Sequence, residues 1–257
     1  MQKKNSKSTL VIVCTHGDED VGLNAVNLLK NRGISLSFDF EIGNPLALKK
    51  GVRFIDVDQN RVAPGDLASS LYEERRVAEL LQKAINYYYI LDIHGTSSNS
   101  GIFIIISKLT KENIIFALQL PIKRVVVWES TSKQNSKGSI TKFLKKGLGI
   151  EIGPKDDEKI LMQLADVLGK INSQIKKYTS ELNEKELKIL IKQKEFYRVY
   201  GSLSSDEILD KNKKMLNFIQ YKNGDEYFYP ILPGEYQGKI YYKAEKISYK
   251  EISLFVK

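Results

Sequence analysis

Short apolar runs that stop at chemically rich turns constrain this chain most. Thr9–Cys14 is apolar and β-branched, reads as a buried strand, and ends at Thr15-His16-Gly17-Asp18-Glu19. Tyr87–Ile93 is a second such run and ends at His94-Gly95. Between and beyond them lie stretches with helical spacing. These are Val21–Lys30, stopped by Asn31-Arg32-Gly33, then Ser69–Ala84, and Asp156–Tyr178 with Ile160, Leu164, Leu168 and Ile171 on one side. Further strands are expected at Leu36–Ile42, Val52–Val57, Gly101–Ser107, Arg124–Trp128 and Gly147–Ile152, with a short turn or helix at Asn44-Pro45. Strands alternating with helices up to about residue 180 predict an α/β layered domain.

After Glu184 the pattern changes. Leu187–Tyr200, Met215–Tyr221, Glu226–Ile231 and Lys239–Lys243 read as strands between Gly, Asn and Pro turns. The expected division is a catalytic domain over residues 1–180 and a small β-rich lobe over 181–257. The 257 residues, 42% of them hydrophobic, suffice for a sizeable core. No run approaches the roughly 18 apolar residues of a membrane helix. The first apolar run is also too short for a signal-peptide core, so a cytoplasmic protein is expected, with no membrane partner. The single cysteine, Cys14, excludes an internal disulfide and a cysteine-based metal cluster, and it reads as a buried, inert thiol. The net charge of +9 comes mostly from lysines clustered at sites such as Lys49–Lys50, Lys145–Lys146 and Lys211–Lys214. They read as a solvated surface, with attraction of anions as the alternative. Aromatics are not interleaved with them in a nucleic-acid-binding pattern, so nucleic acid is not an expected partner.

The chain has only two histidines, and both follow an apolar strand-like run and precede a glycine. His16 and Glu19 are three residues apart, about one turn, so both side chains can aim at one point. Sites in open α/β sheets form outside the carboxyl ends of strands, where His94 also sits. Two His and one Glu, with a fourth position left open, make the ligand set of a catalytic zinc. Asp92, two residues before His94, falls on the same strand face and is a candidate to orient a ligand; an exposed strand-end Asp is the alternative.

Glu151 stands in Gly149-Ile150-Glu151-Ile152-Gly153-Pro154. Either it faces solvent on a half-buried strand, or it faces a cleft where partial burial suits it to proton transfer. Two of the seven arginines, Arg53 and Arg61, lie within nine residues of each other. One is a candidate to polarise a carbonyl beside the metal and the other to clamp a carboxylate. The alternative is ion pairing with Asp56 or Asp58.

Four segments in this order resemble the aspartoacylase and succinylglutamate desuccinylase family of zinc deacylases, relatives of the metallocarboxypeptidases. They are Thr15–Glu19, Arg53–Arg61, Asp92–Asn99 and Gly149–Pro154, and the stretch after His94 looks closest to the aspartoacylase branch. The resemblance implies a three-layer αβα, zinc-carboxypeptidase-like domain with a mixed sheet. It implies one zinc ion per chain on His16, Glu19 and His94, and a general base and acid at Glu151. It implies that Arg53 contacts the carbonyl or acyl end, and that Asn60 and Arg61 hold the amino-acid carboxylate. The implied substrate is a small N-acyl amino acid, cleaved at its amide. Three departures stand out. The region Ser130–Gly149, where aspartoacylase carries a further substrate-binding arginine, offers only lysines such as Lys137 and Lys142. No aromatic follows soon after Arg61, in Asn60-Arg61-Val62-Ala63-Pro64. The C-terminal lobe is short, with Tyr236 the first candidate and Tyr241 the second for a substrate-contacting tyrosine. The rival readings are a metallocarboxypeptidase acting on peptide C-termini and a non-catalytic, anion-binding homologue.

Overall fold

The computed structural model describes residues 7–129, 136–174, 182–210, 212, 214–234 and 240–256. Its frame is one ten-stranded mixed sheet in the order β2-β1-β3-β6-β4-β5-β7-β10-β9-β8. The strands are β1 (Lys7–Val13), β2 (Asp39–Ile42), β3 (Tyr87–Gly95), β4 (Gly101–Ile106), β5 (Arg124–Val127), β6 (Gly147–Gly153), β7 (Glu195–Ser204), β8 (Tyr221–Asn223), β9 (Glu226–Gly234) and β10 (Ile240–Ile247). Strands β2, β1, β3 and β6 run parallel. The direction reverses at β4, which pairs antiparallel with β6 and parallel with β5, and β5 is in turn parallel to β7. Beyond β7 the sheet continues through antiparallel β10, β9 and β8.

Side-chain alternation along the central strands builds the two faces. Val11, Val13, Leu91, Ile93, Leu148 and Ile150 point into one core layer. Helices α1 (Val21–Asn31), α4 (Lys111–Gln119), α5 (Glu158–Gln174), α6 (Glu184–Lys192) and α7 (Tyr249–Val256) all contribute apolar side chains to that layer. Leu10, Ile12 and Ile90 point the other way, onto α3 (Tyr72–Ala84) through Val77, Leu80 and Ala84. The short helix α2 (Pro45–Lys50) packs against the loop that leaves β1. A Cβ on Gly17 would sit 2.1 Å from the carbonyl carbon of Ala47, so only glycine permits this approach.

Five segments differ from the sequence expectation. Val52–Val57 is an irregular loop: the N–H groups of Ile55, Asp56 and Val57 are bound by a carboxylate from α3 and that of Val52 by the Ala47 carbonyl, instead of a neighbouring strand. Leu187–Tyr200 divides into α6 and the start of β7. Leu187 and Ile191 have helical spacing, and Asn183 and Glu186 form a reciprocal cap at its start. Most of Met215–Tyr221 is a turn, and only Tyr221 enters a strand. Helices α4 and α7 had no expected counterpart. Thr110 caps the first of them by accepting from the Asn113 N–H. No helix among the described residues is long and apolar enough to cross a membrane.

Candidate metal centre

Strands β1 and β3 are neighbours and run parallel, so their carboxyl ends open at the same edge of the sheet. Cys14 leaves β1 in the left-handed region at φ 54, and the chain turns there into Thr15-His16-Gly17. The Glu19 N–H donates to the His16 carbonyl at 3.1 Å, which closes a tight turn and brings both side chains to one side. His94 arrives at the end of β3. Donor atoms of His16, Glu19 and His94 all lie within 4.8 Å of one another, and all three residues are buried.

The orientation of the rings is informative. His16 Nδ1 lies 2.8 Å from Glu19 Oε1, while its Nε2 lies 2.9 Å from Asp58 Oδ1. His94 repeats the arrangement, with Nδ1 3.2 Å from Glu19 Oε2 and Nε2 3.0 Å from Asp92 Oδ2. Both imidazoles therefore present Nδ1 to a shared centre and rest Nε2 on a carboxylate. Metal-binding histidines are held in this way, because the carboxylate fixes the tautomer and raises the basicity of the ligating nitrogen. Asp92 is fully buried and its other oxygen accepts from the Thr15 hydroxyl at 2.7 Å. The side chains fit a divalent ion bound through two nitrogens and a carboxylate.

The neighbouring charges offset the cost of burying these groups. Burial opposes ionisation of Glu19, yet the two imidazoles hold it well below the usual carboxylate range. Burial also opposes charge on His94, but Asp92 and Glu19 raise its pKa well above the ordinary histidine value. His16 is raised too, since Glu19 and Asp58 outweigh its desolvation. Asp58 is lowered despite its burial, first by the His16 hydrogen bond and then by Arg61 and Arg53. Burial pushes the Cys14 thiol up to about 12, so it stays protonated and packs as a core residue.

Glu151 lies on β6 directly opposite His94 on β3. Partners in parallel register share a face, so both project from the same side of the sheet at neighbouring positions. Glu151 is buried. Gly149 faces Asp92 one pleat earlier. Arg53 donates to Glu19 Oε1 at 2.7 Å and reaches within 3.6 Å of Asp58 Oδ2. Asn60 and Arg61 follow Asp58 in a one-turn 3-10 helix, where the Asp58 side chain accepts from the Asn60 N–H. Asn60 Oδ1 is buried without a hydrogen-bond partner among the described residues. Arg61 is exposed and donates to the Asn60 carbonyl. Tyr236 lies outside the described residues. Tyr241, on β10, packs against a separate apolar cluster with Leu203 and Phe228. Lys137 pairs with Glu74 at 2.6 Å, and Lys142 donates to the Lys137 carbonyl.

Two contributors were not read from the sequence as parts of the site. Asp58 was considered only as an arginine partner, yet it holds His16 from 42 positions away. Glu73, on the first turn of α3, is fully buried. It accepts the N–H groups of Ile55, Asp56 and Val57 at 2.6, 3.0 and 3.2 Å and the Asn44 amide at 3.0 Å. Glu73 thereby shapes the loop that delivers Arg53 on one side and Asp58 on the other.

Comparison with known proteins agrees with this geometry. Residues 5–177 match the model of the succinylglutamate desuccinylase/aspartoacylase catalytic domain. A probable aspartoacylase of Prochlorococcus marinus (strain MIT 9515) is 30% identical over 73% of this chain and 68% of its own. Among solved structures, murine aminoacylase 3 superposes with a TM-score of 0.70 at 19% identity, covering 94% of this chain and 96% of that one. The succinylglutamate desuccinylase of Chromobacterium violaceum superposes with a TM-score of 0.65 at 17% identity, over 95% and 86% of the two chains. These two structures share the three-layer α/β fold with its mixed sheet.

Proposed function

The chain belongs to the succinylglutamate desuccinylase/aspartoacylase family, and from that premise we propose that it is a zinc-dependent amidohydrolase that cleaves the amide of a small N-acyl amino acid. The observation that carries this reading is the pair of imidazoles turned by Asp58 and Asp92 towards Glu19, with Glu151 in register beside His94. His16, Glu19 and His94 are the proposed ligands of one zinc ion. A zinc ion held there supplies Lewis acidity and makes water acidic near neutrality.

The chain's own groups do the rest. Glu151 is the proposed general base and acid: it takes a proton from the attacking water and returns it to the departing nitrogen. Its burial suits a carboxyl that must both accept and give a proton near neutral pH. Arg53, the proposed partner of the developing oxyanion, carries a full positive charge at the edge of the cluster. Asn60 and Arg61 are the proposed clamp for the amino-acid carboxylate, with the Asn60 Nδ2 group as the proposed donor. Arg61 supplies the charge and the planar donor fork that a carboxylate matches. Tyr236 is kept as a proposed substrate contact. In this division of labour residues 1–180 carry the chemistry and residues 181–257 shape the approach to it.

The test is metal analysis of purified protein followed by a panel of N-acetyl and N-succinyl amino acids and short peptides. One zinc per chain with release of free amino acid from an N-acyl substrate is expected. Hydrolysis of peptide C-termini alone would point to carboxypeptidase action. Zinc-free protein that binds anions without turnover would contradict the proposal.

A further inference from the structure

Outside the metal cluster, Asn217, in the turn before β8, ties three groups together next to the site. Its Nδ2 donates to Ser98 Oγ at 2.8 Å and to the Asn99 carbonyl at 3.1 Å. Its Oδ1 accepts the Leu232 N–H at 2.8 Å. Ser98 and Asn99 belong to the loop that leaves His94 and leads into β4. That loop also crosses β6 close to Glu151, since a Cβ on Gly153 would sit 2.3 Å from the Ser98 carbonyl oxygen. One carboxamide thus joins the C-terminal region to the loop beside the proposed catalytic residues.

The backbone around this junction is strained. Phe218 and Leu232 both lie in the left-handed region, at φ 63 and φ 49. A non-glycine residue there is strained and persists only where its surroundings over-determine it. The strain has a visible result. The Phe218 ring packs edge-on against Phe103 with centroids 5.3 Å apart, and the Arg124 guanidinium carbon lies 4.5 Å from the Phe218 ring centroid. Phe103 is the register partner of Glu151 on β4, so it projects from the same face. Phe103, Phe218 and Leu232 are all buried in one apolar cluster. His94 flanks Glu151 on one side, and this cluster flanks it on the other. The charge of Arg124 is answered by Glu195, 3.7 Å away.

We propose that Asn217 is a positioning residue: it fixes the Phe218 turn against the Ser98–Asn99 loop, and so holds an apolar wall beside Glu151 that selects an uncharged substrate group. This rests on the deacylase reading of the site. It agrees with the absence of arginine from residues 130–149.

The experiment compares wild type, Asn217→Asp and Ser98→Ala, each loaded with zinc. Substrates are matched pairs: N-acetyl-phenylalanine with N-acetyl-aspartate, and N-hexanoyl- with N-succinyl-amino acids. Asn217→Asp keeps the acceptor for Leu232 but turns a carboxylate oxygen on the Asn99 carbonyl. Ser98→Ala leaves the other two Asn217 bonds in place and serves where the aspartate variant fails to fold. The wild type should prefer the uncharged member of at least one pair. Asn217→Asp should raise KM for that substrate about tenfold, with kcat within about twofold and zinc content unchanged, and Ser98→Ala should shift KM in the same direction. A purely structural role would lower thermal stability and leave KM unmoved. Wild-type preference for the charged member of both pairs, or unchanged KM in a folded variant, overturns the proposal. A zinc-loaded wild type that hydrolyses no N-acyl amino acid overturns the deacylase reading first, and the assignment of the wall falls with it.

Discussion

Each histidine of the centre has two jobs for its two nitrogens, and the carboxylates decide which nitrogen does which. Asp58 and Asp92 take the Nε2 side, so Nδ1 is left to face Glu19. Replacing either Asp by Asn keeps the shape and removes the charge that holds the ring. Asp58→Asn and Asp92→Asn should each weaken zinc binding about 10–100-fold, read by competition with a chelator, while the circular dichroism spectrum stays as in wild type. Unchanged affinity in both would mean the rings need no such support. That His16, Glu19 and His94 come together was legible in the sequence, because the turns carrying them follow two apolar runs that end at one edge of the sheet, whereas the pattern around Glu151 left it open between solvent and cleft. Asp58 was not legible in this role, since only the folded loop brings it to His16.

Among the elements, α3 matters more than its exposed, charged sequence suggests. Glu73 occupies a first-turn position that reads as a solvated helix start, where acidic residues suit the helix dipole. Here it is buried and binds three successive backbone N–H groups of the loop before Asp58. Glu73→Gln should destabilise the protein by roughly 2–3 kcal/mol in urea unfolding, because charge-assisted bonds to a buried acceptor are lost. It should also lower zinc affinity, since Arg53 and Asp58 are carried on that loop. An unaltered urea midpoint would contradict this account. The same carboxylate explains why Val52–Val57, expected as a strand, is a loop: side-chain oxygens take the N–H groups of Ile55, Asp56 and Val57 that a neighbouring strand would bind. The other elements that eluded the sequence follow a similar logic. Leu187 and Ile191 carry helical spacing inside a β-branched stretch, and the cap at Asn183 decides the outcome. Met215–Tyr221 is held as a turn by Asn217, two of whose partners, Ser98 and Asn99, lie more than a hundred residues earlier.

For the whole molecule, the alternation of strands and helices was enough to predict the layered fold, because each buried strand carries its apolar residues on both faces. The reversal at β4 was not predictable, since direction is set by pairing with β6 and leaves no mark on composition. The charged cluster gives the metal-free protein a distinctive pH response. Glu19 and Asp58 titrate below their ordinary values, so their contribution is full above about pH 4.5 and fades as the pH falls through the lowered values. His16 and His94 titrate above theirs, so their contribution is full below about pH 6.5 and fades as the pH rises through the raised values. The cluster's contribution to the thermal midpoint of chelator-treated protein should therefore be greatest between about pH 4.5 and 6.5. Saturating zinc, which requires unprotonated ligands, should move the optimum upward. A metal-free optimum above pH 8 would contradict the assigned pairing. The central claim joins that centre to proton transfer at Glu151, and the most direct measurement is turnover of an N-acyl amino acid by zinc-loaded Glu151→Gln. The prediction is one zinc per chain retained and kcat reduced about 10²–10⁴-fold. Full activity in that variant would contradict it.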